Sequence, residues 1–228
     1  MITVITPTMW KAQEINVMLP KLNEHELIGE IIIIDNDPSH KNENTCSLSK
    51  VTYLTFGENI YCNPAWNRGY EVAKYDKLMF INDDASFTIT LIDAIHDVIT
   101  EDNGMIVASP ESVLESISGN YVLRETPSKN ISFKPIPQPR HKCAITFGIH
   151  KKNYTIIPEQ LKIHRGDTFL FGMCMKNKKQ NLATHNAEFR TKMSTTIRSD
   201  RRFREVTRKD AELGAQIWQE YELRGIVN

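Results

Sequence analysis

Glu30-Ile-Ile-Ile-Ile-Asp-Asn-Asp37 and Leu78-Met-Phe-Ile-Asn-Asp-Asp84 decide the fold, because each runs from an unbroken apolar stretch directly into carboxylates. Short apolar runs bounded by turn residues are typical of strands that are buried on both faces. Strands of this kind occur in parallel sheets that are covered by helices on both sides. The two stretches therefore predict an α/β domain with acidic residues at the ends of its strands.

The rest of the chain extends this pattern. Further apolar runs predict strands, and residues at helical spacing between them predict helices. Alternation of strands and helices predicts a mostly parallel sheet flanked by helices. The further strands are Ile2–Thr6, Val51–Phe56, Met105–Ala108 and Cys143–Ile149. The helices are centred on 15–22, 91–99, Asp167–Lys178 and 199–223, and another begins at Pro64.

Several helix ends carry sequence signals. Pro20 should kink or end the first helix, since proline lacks the backbone donor. Asn63 should cap the second helix with Pro64 at its first position. Thr90 and Ser199 should cap two later helices.

Composition places the chain among ordinary globular proteins, with 228 residues, 40% hydrophobic residues and a formal net charge of zero. The charge is unevenly spread. Residues 1–110 hold 7 Lys/Arg against 16 Asp/Glu, whereas residues 111–228 hold 21 against 12. An acidic half is therefore followed by a basic half, which is compatible with an anionic partner for the second half.

The four cysteines have neither C-x-x-C nor zinc-finger spacing, so we expect free thiols in a reducing compartment. No apolar run approaches 18 residues, which predicts no membrane span. Met1 leads directly into a strand pattern without a basic leader. These features predict a cytoplasmic protein.

Two acidic pairs, Asp35/Asp37 and Asp83/Asp84, follow predicted strands. Each pair is compatible with a plain turn. Adjacent carboxylates repel each other, however, and a hard cation such as Mg²⁺ or Mn²⁺ would relieve that repulsion. The sequence contains neither of the two usual glycine-rich phosphate-binding motifs, G-x-x-x-x-G-K-[ST] and G-x-G-x-x-G. These observations favour metal-assisted transfer from a nucleotide donor.

Five stretches together resemble the glycosyltransferases of the GT-A fold, family 2 type, over roughly residues 1–180. Four match in order, and Arg165-Gly-Asp167 before an apolar helix resembles the motif of the catalytic base. The ordered four are Val4-Ile-Thr-Pro-Thr8; Glu30–Asp37; Asn59, Ala65, Asn67 and Gly69 on the N-x-G-x-x-x-A-x-N-x-G segment; and Phe80-Ile-Asn-Asp-Asp84 on the D-x-D motif.

The chain also departs from the family pattern. Tyr61 stands where glycine is common, and Trp66 stands where the family often has arginine. Asn82 replaces the first acid of D-x-D, and Gly166 replaces the glutamate that commonly precedes the base. Asp84 is left as the main metal ligand and Asp167 as the single candidate base.

The resemblance implies an inverting transfer from a nucleoside-diphosphate sugar, expected to be a UDP-sugar, with Mn²⁺ or Mg²⁺. It implies that Asp167 is the general base and that Asp84, supported by Asp83, holds the metal. His185 is a third candidate ligand, or else a surface histidine. A plain helix cap is the alternative for Asp167. The implied donor-binding residues are Thr6, Pro7, Thr8, Asp35, Asp37, Asn67 and Asp83.

We expect a single GT-A domain with a nucleotide-sugar half over 1–110, an acceptor-side half over 111–190 and a basic helical segment over 191–228. From Glu188 to Lys209 there are eight Lys/Arg against three Asp/Glu. This stretch is either a solvated helix face or a contact for an anionic acceptor. Similarity to phage enzymes that glycosylate hydroxymethylated bases favours DNA, ahead of a surface-polysaccharide or lipid-linked precursor.

Two other classes remain as alternatives. A nucleotidyltransferase would share the sheet and the acidic site, but Pro7-Thr-Met-Trp-Lys11 lacks the glycines of its usual loop. A non-catalytic nucleic-acid-binding protein would explain the basic half and leave the carboxylates at the strand ends without a purpose.

Overall fold

Strands and helices alternate along the first half of the chain, as the sequence predicts. The computed structural model describes residues 1–37, 39, 48–108, 113–115, 131–137, 145–185, 187, 189–191 and 200–227. The start of the predicted strand at Cys143 lies outside these residues. The predicted Ser199 cap is wrong, because the cap of the helix that begins at Arg201 is Asp200, whose side chain accepts the Arg202 N–H. The elements are β1 (Ile2–Thr8), α1 (Glu14–Glu24), β2 (Ile28–Asp35), β3 (Val51–Thr55), α2 (Cys62–Val72), β4 (Lys77–Ile81), β5 (Ala85–Phe87), α3 (Thr90–Val98), β6 (Asn103–Val107), β7 (Val113–Glu115), β8 (Ser132–Pro135), β9 (Thr146–His150), a 3₁₀ turn (Lys151–Asn153), α4 (Gly166–Lys176), β10 (Gln180–His185), β11 (Phe189–Thr191) and α5 (Arg201–Glu220).

The main sheet has eight strands in the order β3-β2-β1-β4-β9-β6-β10-β8. Strands β3, β2, β1 and β4 are parallel, and β9 runs antiparallel to both β4 and β6. β10 is parallel to β6, and β8 is antiparallel to β10. The prediction of a mostly parallel sheet is confirmed. A second, three-stranded sheet has the order β5-β11-β7.

Helices cover both faces of the main sheet, because side chains alternate between its two faces. α1 and α3 pack on one face, where Ile15 and Ile95 belong to the same apolar cluster as Ile31 and Ile33 of β2. α2, α4 and α5 pack on the other, where the rings of Trp66, Phe80 and Phe147 lie 4.6–5.7 Å apart. No helix in the described parts of the chain is long and apolar enough to cross a bilayer.

Two further predicted helix starts are wrong, and Pro20 does not end its helix. α1 continues past Pro20 to Glu24, and Pro20 is exposed, so water can satisfy the carbonyl that loses its partner. α2 begins at Cys62 with Tyr61 as its cap, because the Asn63 side chain is buried and donates to Leu161 and His164. α3 starts at Thr90 itself, with Ile89 as the cap.

We expect Gly69→Ala to destabilise the protein, because a Cβ there would lie 2.4 Å from Ile5 Cγ2 inside the core. Alanine favours a helix by about 1 kcal/mol over glycine, but overpacking costs about 1–3 kcal/mol. A net loss of about 1 kcal/mol should appear in urea denaturation. Gly214→Ala is the matched control: its Cβ would meet nothing closer than 3.8 Å, so it should stabilise the protein. Equal effects of the two changes would contradict this packing.

Candidate active site

An opening between β1 and β4 defines the candidate site. β1 pairs with β2 up to Thr8 and Asp35, but its pairing with β4 ends at Ile5 and Phe80. Beyond that point the chain after β4 turns away, and the Asn82 N–H bonds to the Ile145 carbonyl. β1 is also where the strand order reverses between β2 and β4, and ligands of open α/β sheets bind at such switch points.

Thr8 and Asp83 bridge this opening. The Thr8 hydroxyl donates to Asp83 Oδ2 at 2.8 Å, linking the end of β1 to the segment after β4. The pKa of Asp83 is raised to about 7, chiefly by burial and also by the nearby Asp84, while the bonds from Thr8 and the Met9 N–H act in the opposite direction. Asp84 is only 5% exposed. Two carboxylates are therefore held close together with little water around them.

The end of β2 lies beside this pair. Asp35 is buried next to Thr8 in the parallel register, and its Oδ1 accepts the Asp37 N–H at 3.0 Å. Asp37 Oδ1 in turn accepts the N–H and hydroxyl of Ser39. The structure thus brings Thr8, Asp35, Asp83 and Asp84 to one edge of the sheet.

Asn36 is a positioning residue that the sequence reasoning missed. Its N–H donates to the Thr8 carbonyl, its side-chain amide donates to the Tyr61 carbonyl, and its Oδ1 accepts the Ile60 N–H. It therefore ties the ends of β1 and β2 to the N-terminus of α2. An asparagine between two aspartates looks like an ordinary turn in sequence, so no signal distinguished it.

Backbone strain is concentrated in loops around this edge. Three of the five described non-glycine residues with positive φ are Trp10, Tyr61 and Arg165. Tyr61, with φ 68° and ψ −178°, lies in a region that glycine alone adopts readily. Glycine would adopt this conformation without a steric penalty. Strain of this kind is typical of functional sites.

Asp167 lies in the first turn of α4. Arg165 is the N-cap, so the alternative of Asp167 as a simple cap does not match the helix boundary. The Asp167 carboxylate accepts the N–H of Thr168 at 2.8 Å. Burial raises its pKa, while the Thr168 bonds and the neighbouring His164 partly oppose that rise.

Cys62 connects the two groups of carboxylates. Its pKa is raised first by burial and then by Asp83, Asp167 and Asp84, so all three carboxylates lie close enough to interact with the thiol. The sulfur stays protonated and is a poor nucleophile. Cys62 and Cys174 are free thiols, whereas Cys46 and Cys143 lie outside the described residues.

The remaining candidate residues are Thr6, Pro7, Asn67 and His185. Thr6 is buried within β1, and its hydroxyl has no hydrogen-bond partner in the described structure. The Asn67 amide is buried and fully engaged, donating to the Ile157 carbonyl and accepting from the Tyr154 hydroxyl and the Ile157 N–H. His185 ends β10, and β9 and β6 lie between β10 and β4 in the main sheet. Pro7 is partly exposed near the end of β1.

The oxygen donors at this edge fit a hard divalent cation. Mg²⁺ and Mn²⁺ prefer carboxylate oxygens and complete their shells with water and substrate phosphates, so one or two protein ligands suffice. Asp83 and Asp84 supply that number. Within the described parts of the chain, no group of three His, Cys, Asp or Glu residues could hold a metal alone. The metal-ligand role of His185 stays a prediction.

The fold can be compared with those of known proteins. Neither a family model nor a curated protein matches the chain. Among solved structures it is similar to S. aureus TarS, with a TM-score of 0.60 and 14% identity over 85% of this chain and 37% of that one. It is also similar to TarS 1–349 in complex with UDP, with a TM-score of 0.58 and 15% identity over 83% of this chain and 60% of that one. For GalNAc-T7 with UDP, GalNAc and Mn²⁺ the TM-score is 0.56, with 11% identity over 83% of this chain and 43% of that one.

The chain therefore spans 37–60% of the length of these proteins. At 11–15% identity the likeness concerns the architecture of the sheet and its helices, not the side chains of the site. The chain has the GT-A-like α/β fold of these glycosyltransferases.

Proposed function

We propose that this protein is a glycosyltransferase that moves a single sugar from a nucleoside-diphosphate sugar to an acceptor hydroxyl. The donor that we propose is a UDP-sugar. The observation that carries the proposal is the position of Asp83 and Asp84 at the switch point between β1 and β4, where Asp83 accepts a hydrogen bond from Thr8 at 2.8 Å. Proteins of the same fold support it, since TarS 1–349 has been solved with UDP-GlcNAc. A non-catalytic binding protein would gain nothing from three poorly solvated carboxylates.

The donor side is formed by the ends of β1 and β2 and the segment after β4. Asp35 and Asp37 are candidates for contacts with the base and ribose, and Pro7 and Thr8 line the turn beside them. Asp84, supported by Asp83, would hold Mn²⁺ or Mg²⁺. A bound metal would act as a Lewis acid that stabilises negative charge on the departing diphosphate.

The reaction that we propose is a single displacement with inversion. The acceptor oxygen bonds to the anomeric carbon while the bond from that carbon to the diphosphate oxygen breaks. Asp167 takes the proton of the acceptor hydroxyl, and the nucleoside diphosphate leaves with the bonding electron pair. This chemistry needs one base and no protein nucleophile, in agreement with the protonated Cys62.

The acceptor side of the proposal involves α5. The ring of Phe203, near the start of α5, meets the ring of Tyr61 edge-on at 6.3 Å, which places this helix end beside the strained loop. Arg201, Arg204 and Arg208 are exposed on the same helix. A basic helix beside the site supports an anionic acceptor, and we propose a hydroxymethylated base in phage DNA that is flipped into the pocket.

Incubation with UDP-sugars and Mn²⁺ tests the transferase proposal. We expect metal-dependent UDP release that increases with hydroxymethylated DNA, and a loss of about 10²-fold or more in Asp84→Asn, as for removal of a transition-state electrostatic contact. Asp97→Asn, an exposed aspartate on α3, is the matched control and should behave as wild type.

Absence of metal-dependent UDP release with every donor, together with unchanged behaviour of Asp84→Asn, would refute the transferase. UDP release with a polysaccharide or lipid-linked acceptor but not with DNA would overturn the proposed acceptor and leave the proposed transferase activity intact. Pyrophosphate release from a nucleoside triphosphate and a sugar phosphate would instead support a nucleotidyltransferase.

The pH profile of kcat/KM tests the role of Asp167. A general base must be ionised, and burial raises the Asp167 pKa above the ordinary 3.8, so activity should fall on acidification at a higher pH than for an exposed aspartate. Asp167→Asn should lower kcat by about 10²–10⁴-fold and leave UDP binding intact. Near-normal turnover of this variant would exclude Asp167 as the base.

The ionised carboxylate of Asp83 should destabilise the folded protein when no metal is bound. Because its folded pKa is raised to about 7 from 3.8, the penalty is fully present above pH 7 and disappears as the pH falls towards 4. Without metal, Asp83→Asn should therefore raise the free energy of unfolding by roughly 2–4 kcal/mol at pH 8 and by little near pH 4. Urea denaturation of both proteins at the two pH values measures this. A gain of the same size at both pH values would contradict the electrostatic origin.

A further inference from the structure

The segment that leads into Asp167, residues 161–166, is held by side chains from two different helices; we call it the base loop. It connects no strand to another and forms no ladder, so its backbone groups need partners from elsewhere. One helix supplies acceptors for its N–H groups, and another supplies donors for its carbonyls.

Asp210 of α5 supplies the acceptors. Its carboxylate accepts three consecutive backbone N–H groups: Lys162 at 3.0 Å on Oδ1, and Ile163 and His164 at 2.7 Å each on Oδ2. The side chain is only 1% exposed, so these amides replace the water that a carboxylate would otherwise bind. Hydrogen bonds to an ionised acceptor are about twice as strong as neutral ones.

Asn63 of α2 holds the opposite side. Its side-chain amide donates to the carbonyls of Leu161 and His164 at 3.2 and 3.1 Å, and its backbone N–H donates to the Lys162 carbonyl at 3.0 Å. Gly166 packs against the same amide, where a Cβ would lie 2.2 Å from Asn63 Oδ1. The base loop is thus clamped between α2, which begins beside Cys62, and α5.

The clamp holds a strained residue next to Asp167. Arg165 has a left-handed backbone with φ 67°, which costs an L-residue roughly 1–2 kcal/mol. Its carbonyl accepts the Phe169 N–H in the first turn of α4, and its side chain lies over Gly214, one turn beyond Asp210 on α5. The backbone after Arg165 is fixed by α4, and the backbone before Arg165 is fixed by the contacts at residues 162–164.

We propose that Asp210 is a positioning residue that fixes the base loop so that the Asp167 carboxylate faces the acceptor hydroxyl. The proposal rests on the function proposed above. A carboxylate suits this task because both of its oxygens accept, whereas an amide would direct its own N–H₂ group at one or two of the three backbone donors. Displacement of a catalytic group by about 1 Å costs about 10²-fold in rate.

The test compares Asp210→Asn with wild type. We expect kcat to fall by about 10²-fold, with the KM for the donor and the affinity for UDP unchanged, because Asp210 bonds to the loop that leads into Asp167. Asn153→Ala is the matched control. Asn153 clamps another loop with bonds to the carbonyls of Glu101 and Asn103, at 2.9 and 2.7 Å, so its loss should lower the unfolding free energy without lowering kcat. Equal losses of kcat in the two variants, or a loss confined to KM, would overturn the positioning role.

Amide hydrogen exchange tests the clamp independently of turnover. The N–H groups of Lys162, Ile163 and His164 should be protected in wild type and should exchange faster in Asp210→Asn, whereas β4 should be unaffected. Asn63→Ala removes the donors to the Leu161 and His164 carbonyls and should also lower kcat without changing the KM for the donor. A normal kcat in Asn63→Ala would overturn the clamp. The clamp would also be overturned if these three N–H groups of the wild type exchanged as fast as in an unfolded chain. That result needs no variant, so it holds even if Asp210→Asn fails to fold. A wild type without UDP release but with these amides protected would refute the proposed function and leave the clamp standing.

Discussion

The hydrogen bond from Thr8 to Asp83 crosses the opening that makes a site out of the sheet. β1 stays paired to β2 through Thr8, but it leaves β4 after Ile5, and this hydrogen bond, with that of the Met9 N–H, links Asp83 to the end of β1 beyond that point. Everything proposed for the donor side depends on it, because it sets the position of Asp83 and hence of its neighbour Asp84. The apolar runs that precede both residues form the core that makes this edge rigid.

The site is held at an energetic cost. Asp83, Asp84 and Asp167 share a poorly solvated region, and Tyr61 and Arg165 adopt backbone conformations that disfavour L-residues. A protein selected for stability alone would avoid these features, whereas a cation, a diphosphate and an acceptor hydroxyl would each relieve part of the cost. The polar contacts of Asn36, Asn63 and Asp210 offset it in the free protein by satisfying the loop backbones.

Much of this could be predicted from the sequence. Unbroken apolar runs identified the central strands, and the acids at their ends identified one edge of the sheet. The contacts between distant segments could not be predicted. Asp210 lies between Phe203 and Ile217 on the apolar stripe of α5, and a lone acid on such a stripe is a signal that could have found it. Asn63 looked like a helix cap, since its partners lie 98 and 101 residues away. The antiparallel direction of β9 likewise depends on long-range pairing, which no local pattern encodes.

The most direct test of the central claim is a crystal structure of the protein with UDP and Mn²⁺. The account predicts that the nucleotide occupies the opening between β1 and β4, with its base beside Asp35 and its diphosphate and the metal at Asp84. A nucleotide bound at another surface, or a metal held without Asp84, would contradict it.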